Sequence, residues 1–135
     1  MSAYFEDIHA WALEQSELLK AGKFDQLDIE NLLEELDCVV GRDFNDLRTC
    51  LIRTMGYMLI AFQNPGISCE DLNYYRERIS IILHSSPSLR AKIPEIIKED
   101  YSHAQFVAYR ESGREDFPAT CPWTPEQILD LEYLA

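Results

Sequence analysis

Apolar residues recur every three or four positions along residues 28–63, DIENLLEELDCVVGRDFNDLRTCLIRTMGYMLIAFQ. This spacing places them on one face of an α-helix. Asp28 is a typical N-cap, and the pattern continues for about 34 residues, or about 50 Å at 1.5 Å per residue. Glycine costs about 1 kcal/mol relative to alanine inside a helix, so Gly41 leaves two interpretations open, one bent helix or two consecutive helices. The inward positions are Ile29, Leu32, Leu33, Leu36, Val39, Val40, Phe44, Leu47, Leu51, Met55, Leu59 and Phe62.

Helical spacing also appears on both sides of this segment. A first helix is predicted from Tyr4 to Lys20, with Gly22 at its C-terminal cap. A third helix is predicted from about Ser68, where Asp71 three residues later resembles a capping box. The apolar positions predicted to pack in these two helices are Phe5, Ile8, Trp11, Ala12, Leu18 and Leu19, and then Leu72, Tyr75, Ile79, Ile82 and Leu83.

Two further helices are predicted in the last third of the chain. Ser86 as N-cap and Pro87 at the first helical position open one of them, which ends at Gly113. Pro94 lacks a backbone N–H and is expected to split off a short leading helix. A final short helix covers residues 126–134, with Thr124 as N-cap and Gln127 completing a capping box.

No segment alternates with a period of two, so the sequence predicts an all-α fold. We expect an antiparallel bundle of four main helices with short connections, plus the short C-terminal helix. A chain of 135 residues suits one domain, and we predict a single helical domain over residues 1–135.

Composition excludes several classes of protein. Of the residues, 47% are apolar and the formal net charge is −12, with 12 Lys and Arg against 24 Asp and Glu. The longest apolar run near the centre, residues 58–62, is far shorter than the roughly 20 residues that a membrane helix needs. Scarce bases argue against binding to a nucleic-acid backbone. An acidic N-terminus without a signal-peptide pattern leads us to expect a soluble, cytoplasmic protein.

The four cysteines, Cys38, Cys50, Cys69 and Cys121, are widely separated and form no CxxC pair. We expect reduced, buried thiols, with a regulatory disulfide as the alternative. Neither Cys50 nor Cys69 has a recognisable catalytic partner, although His84 and His103 are the histidines that they could meet in space. The sequence also lacks a nucleophile elbow and a phosphate-binding glycine loop.

Several sequence landmarks occur in a fixed order along the chain. They are an aromatic-rich start with Trp11, the run AGKFDQLDIENLLEEL at 21–36, Gly41-Arg42, Gln63-Asn64-Pro65, Arg76-Glu77-Arg78-Ile79, Ser86-Pro87-Ser88-Leu89, Phe117-Pro118 and Cys121-Pro122. This set resembles the bacterial domain-of-unknown-function family 29. The resemblance covers about Tyr4 to Tyr133 and implies a small, soluble helical protein. It implies no established activity, cofactor or catalytic residue.

One pattern could carry metal chemistry. Glu6 with His9, and Asp100 with His103, are spaced i and i+3, as in carboxylate-bridged metal sites of helical bundles. Glu30, Glu34 and Glu35 could supply bridging carboxylates. Glu34 and Glu35 lie between apolar residues that are predicted to occupy the core-facing side of the helix. We therefore favour the interpretation that these carboxylates and histidines lie on solvent-exposed helix faces, and we assign no metal, cofactor or catalytic residue.

Charge is unevenly distributed along the chain. Residues 1–46 carry −9, residues 47–98 carry +3 and residues 99–135 carry −6. One interpretation is that basic residues of the middle segment pair locally with the acidic segments. The other is an acidic face that attracts a basic partner protein. The basic residues are Arg48, Arg53, Arg76, Arg78, Arg90 and Lys92.

The aromatic residues suggest both core and contact surface. Tyr74 and Tyr75 are adjacent and cannot face the same core, and we expect Trp123 to pack under the proline-rich connector. Exposed aromatics together with Met55, Met58 and Phe62 could form a dimer or partner patch.

These patterns favour a non-enzymatic helical interaction or adaptor protein that forms a homodimer and presents an acidic surface to another protein. We predict no contact with nucleic acid or membrane. The alternative is a metal-dependent enzyme that uses Glu6, His9, Asp100 and His103. A third possibility, a small-ligand binder, has no dedicated residues.

Overall fold

The computed structural model describes residues 3–66 and 70–133. No β-strand occurs in those ranges, and the all-α prediction is confirmed. Four helices are long and the last is short, as expected. The α-helices are α1 (Ala3–Glu6), α2 (Ile8–Lys20), α3 (Ile29–Gln63), α4 (Glu70–Ser85), α5 (Ile93–Ser112) and α6 (Pro125–Leu129), with 3₁₀ segments at Phe24–Gln26 and Pro87–Lys92.

Helix α3 resolves the alternatives at Gly41, because it is one continuous helix of 35 residues. Asp28 caps its start, since the carboxylate accepts a hydrogen bond from the backbone N–H of Asn31 at 3.4 Å. Gly113 ends α5 with a φ of 75°, a left-handed conformation that glycine adopts without strain. The capping box of Thr124 and Gln127 is also present at α6.

Several predicted helix ends were wrong. The first helix is interrupted at Asp7, which caps α2 by accepting from the N–H of Ala10 at 3.0 Å. Ser86 is the N-cap residue of the segment that begins at Pro87, as predicted, but its side chain makes no capping bond and instead donates to Asp43 at 2.8 Å. The last helix stops at Leu129 because Asp130 is extended.

Two predicted features fall outside the described residues. Ser68, the expected start of the third helix, lies in the range 67–69, and Leu134 lies beyond residue 133. Among the residues that are described, no helix combines the length and the apolar character needed to cross a bilayer.

The chain divides into two compact units, residues 1–41 and residues 42–135. We call them the first unit and the second unit. The first unit contains α1, α2, the first 3₁₀ segment and the beginning of α3. The second unit contains the remainder of α3 and all later elements. The single domain predicted from chain length stays a prediction.

The hydrophobic core belongs to the second unit. There α4 returns antiparallel to α3, since Asp43 meets Ser86 near one end while Tyr57 stacks on Tyr75 further along. Helix α5 then runs parallel to α3, since Arg48 meets Asp100 and Gly56, further along α3, lies against Ala104 and Val107. The buried core residues are Leu47, Cys50, Leu51, Met55, Met58, Leu59, Ile60, Leu72, Ile79, Ile82, Leu83, Ile93, Ile96, Ile97, Tyr101, Ala104, Ala108, Trp123 and Ile128.

Gly56 lets α3 and α5 approach closely. A Cβ atom built at this position would lie 2.8 Å from Cγ1 of Val107 and 3.2 Å from the carbonyl oxygen of Ala104. Both distances are too short for an undisturbed side chain, so a residue without Cβ is required for this packing.

The buried guanidinium of Arg76 fixes the C-terminal segment of the second unit to α4. Arg76 is 1% exposed, and its Nε donates to the carbonyl of Ile128 at 2.7 Å. Its other nitrogens donate to the carbonyls of Gln127 and Tyr133. Carbonyls at the end of a helix have no intrahelical donor, so Arg76 satisfies the end of α6 in place of water.

The proline-rich connector is ordered, as predicted. The hydroxyl of Tyr101 and the amide of Gln105 both donate to the carbonyl of Pro118, at 2.8 and 2.9 Å. Trp123 is buried beneath this segment.

The prediction that Met55, Met58 and Phe62 contribute to an exposed contact patch is wrong in part. Met55 and Met58 are fully buried in the core, whereas Phe62 is exposed. Tyr74 is exposed and Tyr75 is half-buried, which confirms that these adjacent aromatics face different surroundings.

Candidate functional site: an apolar groove in the first unit

The residues of the metal hypothesis are divided between the two units. Glu6 ends α1 and His9 lies in the first turn of α2, and both are exposed. Asp100 and His103 lie on α5 in the second unit. In the described ranges, no three or more His, Cys, Asp or Glu side chains are grouped so that they could hold a metal ion.

Asp100 is committed to a salt bridge and is not on a solvated face, which corrects the sequence interpretation for this residue. It is 5% exposed, and both of its oxygens accept from Arg48, at 2.8 and 2.9 Å. The same pair keeps the pKa of Asp100 below its ordinary value, although burial acts in the opposite direction. His103 Nδ1 lies 3.1 Å from one of these oxygens, so the predicted i, i+3 pair of Asp100 and His103 exists. The cation that Asp100 binds is the guanidinium of Arg48.

The three candidate bridging carboxylates have separate environments. Glu30 and Glu34 are exposed. Glu35 accepts a hydrogen bond of 2.7 Å from the hydroxyl of Tyr4, which raises the pKa of Tyr4 to about 12. This bond joins α1 to α3, so the position of Glu35 is explained by a structural role that involves no metal.

The cysteines offer no activated nucleophile in the described ranges. Burial raises the pKa of the Cys50 and Cys121 thiols, which favours the unreactive protonated form. Cys38 is exposed on α3, so the expectation that all four thiols are buried was wrong for this residue. Cys69 lies outside the described residues.

A polar cleft of about 510 Å³ lies in the second unit beside Gln63. The side-chain nitrogen of Gln63 donates to the carbonyl and to the carboxylate of Asp116, at 2.7 and 3.1 Å. Among the residues that the structure describes, the wall combines both signs of charge and contains no cysteine or histidine, so these residues present no recognisable catalytic set. The residues around it are Tyr57, Ile60, Gln63, Asn64, Glu70, Asp71, Glu111, Ser112 and Arg114.

A second groove, also of about 510 Å³, lies within the first unit and is almost wholly apolar. Leu19 near the end of α2 contributes one wall and the first three turns of α3 contribute the other. We call it the α2–α3 groove, and Glu35 is its one charged lining residue. Its lining consists of Leu19, Ile29, Leu32, Leu33, Glu35, Leu36 and Val39.

The groove is lined mainly by side chains that the sequence predicts to be buried, and most of the burial predictions for this unit were wrong. Leu33 is 55% exposed and Leu36 is 61% exposed, although their spacing marks them as core residues. Among the described residues of the first unit, only Trp11 and Gln15 are buried. The other side chains predicted to pack but found exposed are Phe5, Ile8, Ala12, Leu19, Ile29, Val39 and Val40.

Polar contacts, rather than a hydrophobic core, connect α2 to α3. Trp11 Nε1 donates to the carboxylate of Asp28 at 2.9 Å, and the side-chain oxygen of Gln15 accepts from the backbone N–H of Asp28 at 2.8 Å. Asp28 also accepts from the Asn31 amide at 2.8 Å. These donors lower the pKa of Asp28, the contact with Asn31 most strongly. Asp28 therefore holds the helices together while the apolar side chains beside it remain uncovered.

The first unit also carries most of the acidic charge. Residues 1–41 contain ten Asp and Glu against two Lys and no Arg, a net charge of −8 out of the total of −12. Within the described part of this unit the only ion pair joins Lys20 to Glu17, at 3.4 Å on the surface. Local pairing does occur in the second unit, between Arg48 and Asp100. It leaves the acidic excess of residues 1–41 in place.

Comparison with known proteins identifies the family. The family model described as the domain of unknown function DUF29 matches residues 3–134. The chain belongs to the DUF29 family. The resemblance inferred from the sequence landmarks is thereby confirmed. No curated protein and no solved structure gives a significant match to this DUF29 chain.

Sequence reasoning missed the α2–α3 groove because periodicity reports which face is apolar and not what covers it. A signal was nevertheless present. The acid-rich segment before residue 42 supplies only one long helix to pack against the beginning of α3, which is too little to cover the whole stripe.

Proposed function

We propose that this DUF29 chain is a protein-interaction module and that the α2–α3 groove is where it docks to another protein. The observation that carries the proposal is the exposure of aliphatic side chains along α3, chiefly Leu33 and Leu36. Exposed apolar patches of this kind on soluble proteins mark contact surfaces more often than isolated exposed residues do.

The size of the surface suits a transient contact. Full burial of an aliphatic side chain contributes about 2 kcal/mol, so covering one that is half exposed contributes about 1 kcal/mol. Five groove residues are about half exposed, namely Leu19, Ile29, Leu33, Leu36 and Val39. Together they contribute about 5 kcal/mol before the loss of translational and rotational freedom on association is subtracted, and that loss costs about 4–15 kcal/mol. Apolar contact alone therefore gives weak binding, and a second attraction is needed for a tighter complex.

The metal-dependent enzyme has no comparable support. Its four candidate residues belong to two different units, and Asp100 is already paired with Arg48. An interaction role requires only the exposed surface that the first unit presents.

Site-specific photo-crosslinking in the native cell tests the proposal. A benzophenone-bearing amino acid at position 33 reports on the groove. The matched control carries it at position 81, where Ile81 on α4 is equally exposed, at 60%. We expect an adduct with one defined protein from position 33, reproduced with the purified pair and abolished by Leu36→Gln. Equal adducts at both positions, or no adduct at position 33, would overturn the proposal.

A further inference from the structure

The shape of the α2–α3 groove favours a helical occupant. Its α3 wall extends from Ile29 to Val39, a distance of about 15 Å at 1.5 Å per residue, or three turns. The wall consists of side chains, and the described residues contain no sheet edge that could pair with an extended peptide. An α-helix satisfies its own backbone hydrogen bonds and can present leucine-sized residues at i, i+3, i+4 and i+7 to such a wall.

The acidic charge around the groove favours basic residues on the polar face of that helix. Glu30, Glu34 and Asp37 follow one another at i, i+4 and i+7, so they form an acidic row along α3 beside the apolar stripe. All three are exposed, and Glu35 lies in the lining itself. A helix seated in the groove would place its flanking residues next to these carboxylates. Lysine and arginine are the complementary residues at those positions.

The same charge argues against a second copy of this chain as the occupant. Two first units would each bring ten acidic residues to the contact, offset only by Lys20 and Lys23, which leaves a net charge of −8 on each. Like charges brought together across an interface oppose association. A basic partner removes this repulsion and adds the second attraction that apolar contact lacks.

From the groove and its acidic row we infer that the α2–α3 groove binds a basic amphipathic helix of another protein. This inference rests on the proposed function, since it names the partner of that same surface. The apolar face of the partner helix covers Leu33 and Leu36, and its lysines or arginines meet Glu30, Glu34 and Asp37.

Direct titration with designed peptides tests the inference. The probe is a fluorescent helical peptide of about 14 residues, or four turns, with leucine on one face and lysine on the other. One control peptide has the same composition but leucines distributed around the helix. A second has glutamate in place of lysine. We expect only the probe to bind, and its affinity to fall as the screening length shortens from about 10 Å at 0.1 M salt to about 3 Å at 1 M.

Matched variants locate the binding site. Leu33→Gln combined with Leu36→Gln should weaken binding at least about tenfold, whereas Ile81→Gln should leave it unchanged. The triple change Glu30→Gln, Glu34→Gln and Asp37→Asn should weaken binding several-fold and flatten its salt dependence. A control triple of Glu77→Gln, Glu115→Gln and Glu132→Gln removes the same total charge from exposed positions of the second unit and should have no effect.

Three results would overturn the inference. They are equal binding of the scrambled peptide, equal binding by the groove variants, and failure of the probe to bind. In the third case the crosslinking experiment separates the two proposals. A defined adduct from position 33, including one at twice the 15.7 kDa mass of this chain, would leave the interaction function standing with a different occupant. No such adduct would remove both proposals.

Discussion

Arg48 donates to both carboxylate oxygens of Asp100, through Nε at 2.8 Å and Nη2 at 2.9 Å, and so joins α3 to α5 inside the second unit. The pair is asymmetric, because Asp100 is buried while Arg48 reaches it from a partly exposed position. Burial alone would favour the protonated carboxyl. The two hydrogen bonds reverse that preference and hold Asp100 ionised.

This pair predicts acid sensitivity. The pKa of Asp100 is lower in the folded chain than the value of about 3.9 in an unfolded chain. A carboxyl whose pKa is lowered on folding stabilises the fold at pH values above its pKa in the unfolded chain. That contribution is lost as the pH falls through its pKa in the folded chain. Asp100→Asn should therefore lower the denaturation midpoint of the second unit at pH 7, and the difference from the unaltered chain should narrow towards pH 3. Urea unfolding across this range measures it.

The control for the acid experiment is Glu77→Gln, which changes an exposed carboxylate on α4. Its midpoint should follow the unaltered chain at every pH. The prediction would be contradicted if the denaturation midpoints of Asp100→Asn and the unaltered chain differed by the same amount from pH 7 to pH 3. Ionisation of Asp100 would then contribute nothing to stability.

Arg76 predicts a large effect at the opposite end of the core. Each carbonyl left without a donor costs about 1–3 kcal/mol when buried, and Arg76 serves the carbonyls of Gln127, Ile128 and Tyr133. Arg76→Met should destabilise the second unit by about 3 kcal/mol or more. Arg76→Lys should cost somewhat less, because an ammonium group can still donate, but it should not restore full stability, because it lacks the fork of the guanidinium. Denaturant unfolding measures the loss.

Trp123 supplies a local readout for the same variants, since it is buried in the core and lies four residues before Gln127, the first residue whose carbonyl Arg76 binds. Its emission should shift to longer wavelength in Arg76→Met. The exposed Arg90 provides the control, and Arg90→Met should change stability by less than about 0.5 kcal/mol. A native emission spectrum together with unchanged stability in Arg76→Met would contradict the assigned role.

Two glycines of one helix should respond in opposite directions to alanine. Gly41 has no atom within 4 Å of a built Cβ, so Gly41→Ala should stabilise α3 by up to about 1 kcal/mol through helix propensity. Gly56→Ala gains the same propensity but forces Val107 to shift, and such overpacking costs about 1–3 kcal/mol. Thermal unfolding of both variants measures the contrast, and stabilisation by both would show that α5 moves aside at little cost.

Much of the second unit could be predicted from the sequence, because its helices meet and cover each other's apolar faces. The spacing of Leu47, Leu51 and Leu59 predicts burial, and each of these side chains is fully buried. The roles of Asp100 and Arg76 could not be predicted, since each depends on residues about 50 positions away in the chain.

The candidate site was predictable only in its charge. The sequence places a net charge of −9 before residue 47, and the described part of residues 1–41 contains no ion pair besides that of Lys20 with Glu17. Leu33 and Leu36 lie three residues apart and Leu47 and Leu51 lie four apart, both of which are helical spacings, yet only the second pair is buried. Helical spacing is a local property, whereas burial depends on whether another element is present to cover the face.

The difference between the units predicts unequal opening. Trp11 is the one buried apolar side chain among the described residues of the first unit, which gives these residues little hydrophobic stabilisation. The amides of this unit should therefore exchange through local opening well before global unfolding. Hydrogen exchange followed by mass spectrometry should show α2 exchanging far faster than α5. Trp11→Phe removes the donor to Asp28 while keeping an aromatic ring, and it should speed exchange in α2 without changing α5. Equal protection of α2 and α5 would contradict this prediction, and protection of α2 that rises with protein concentration would show that a second copy covers the groove.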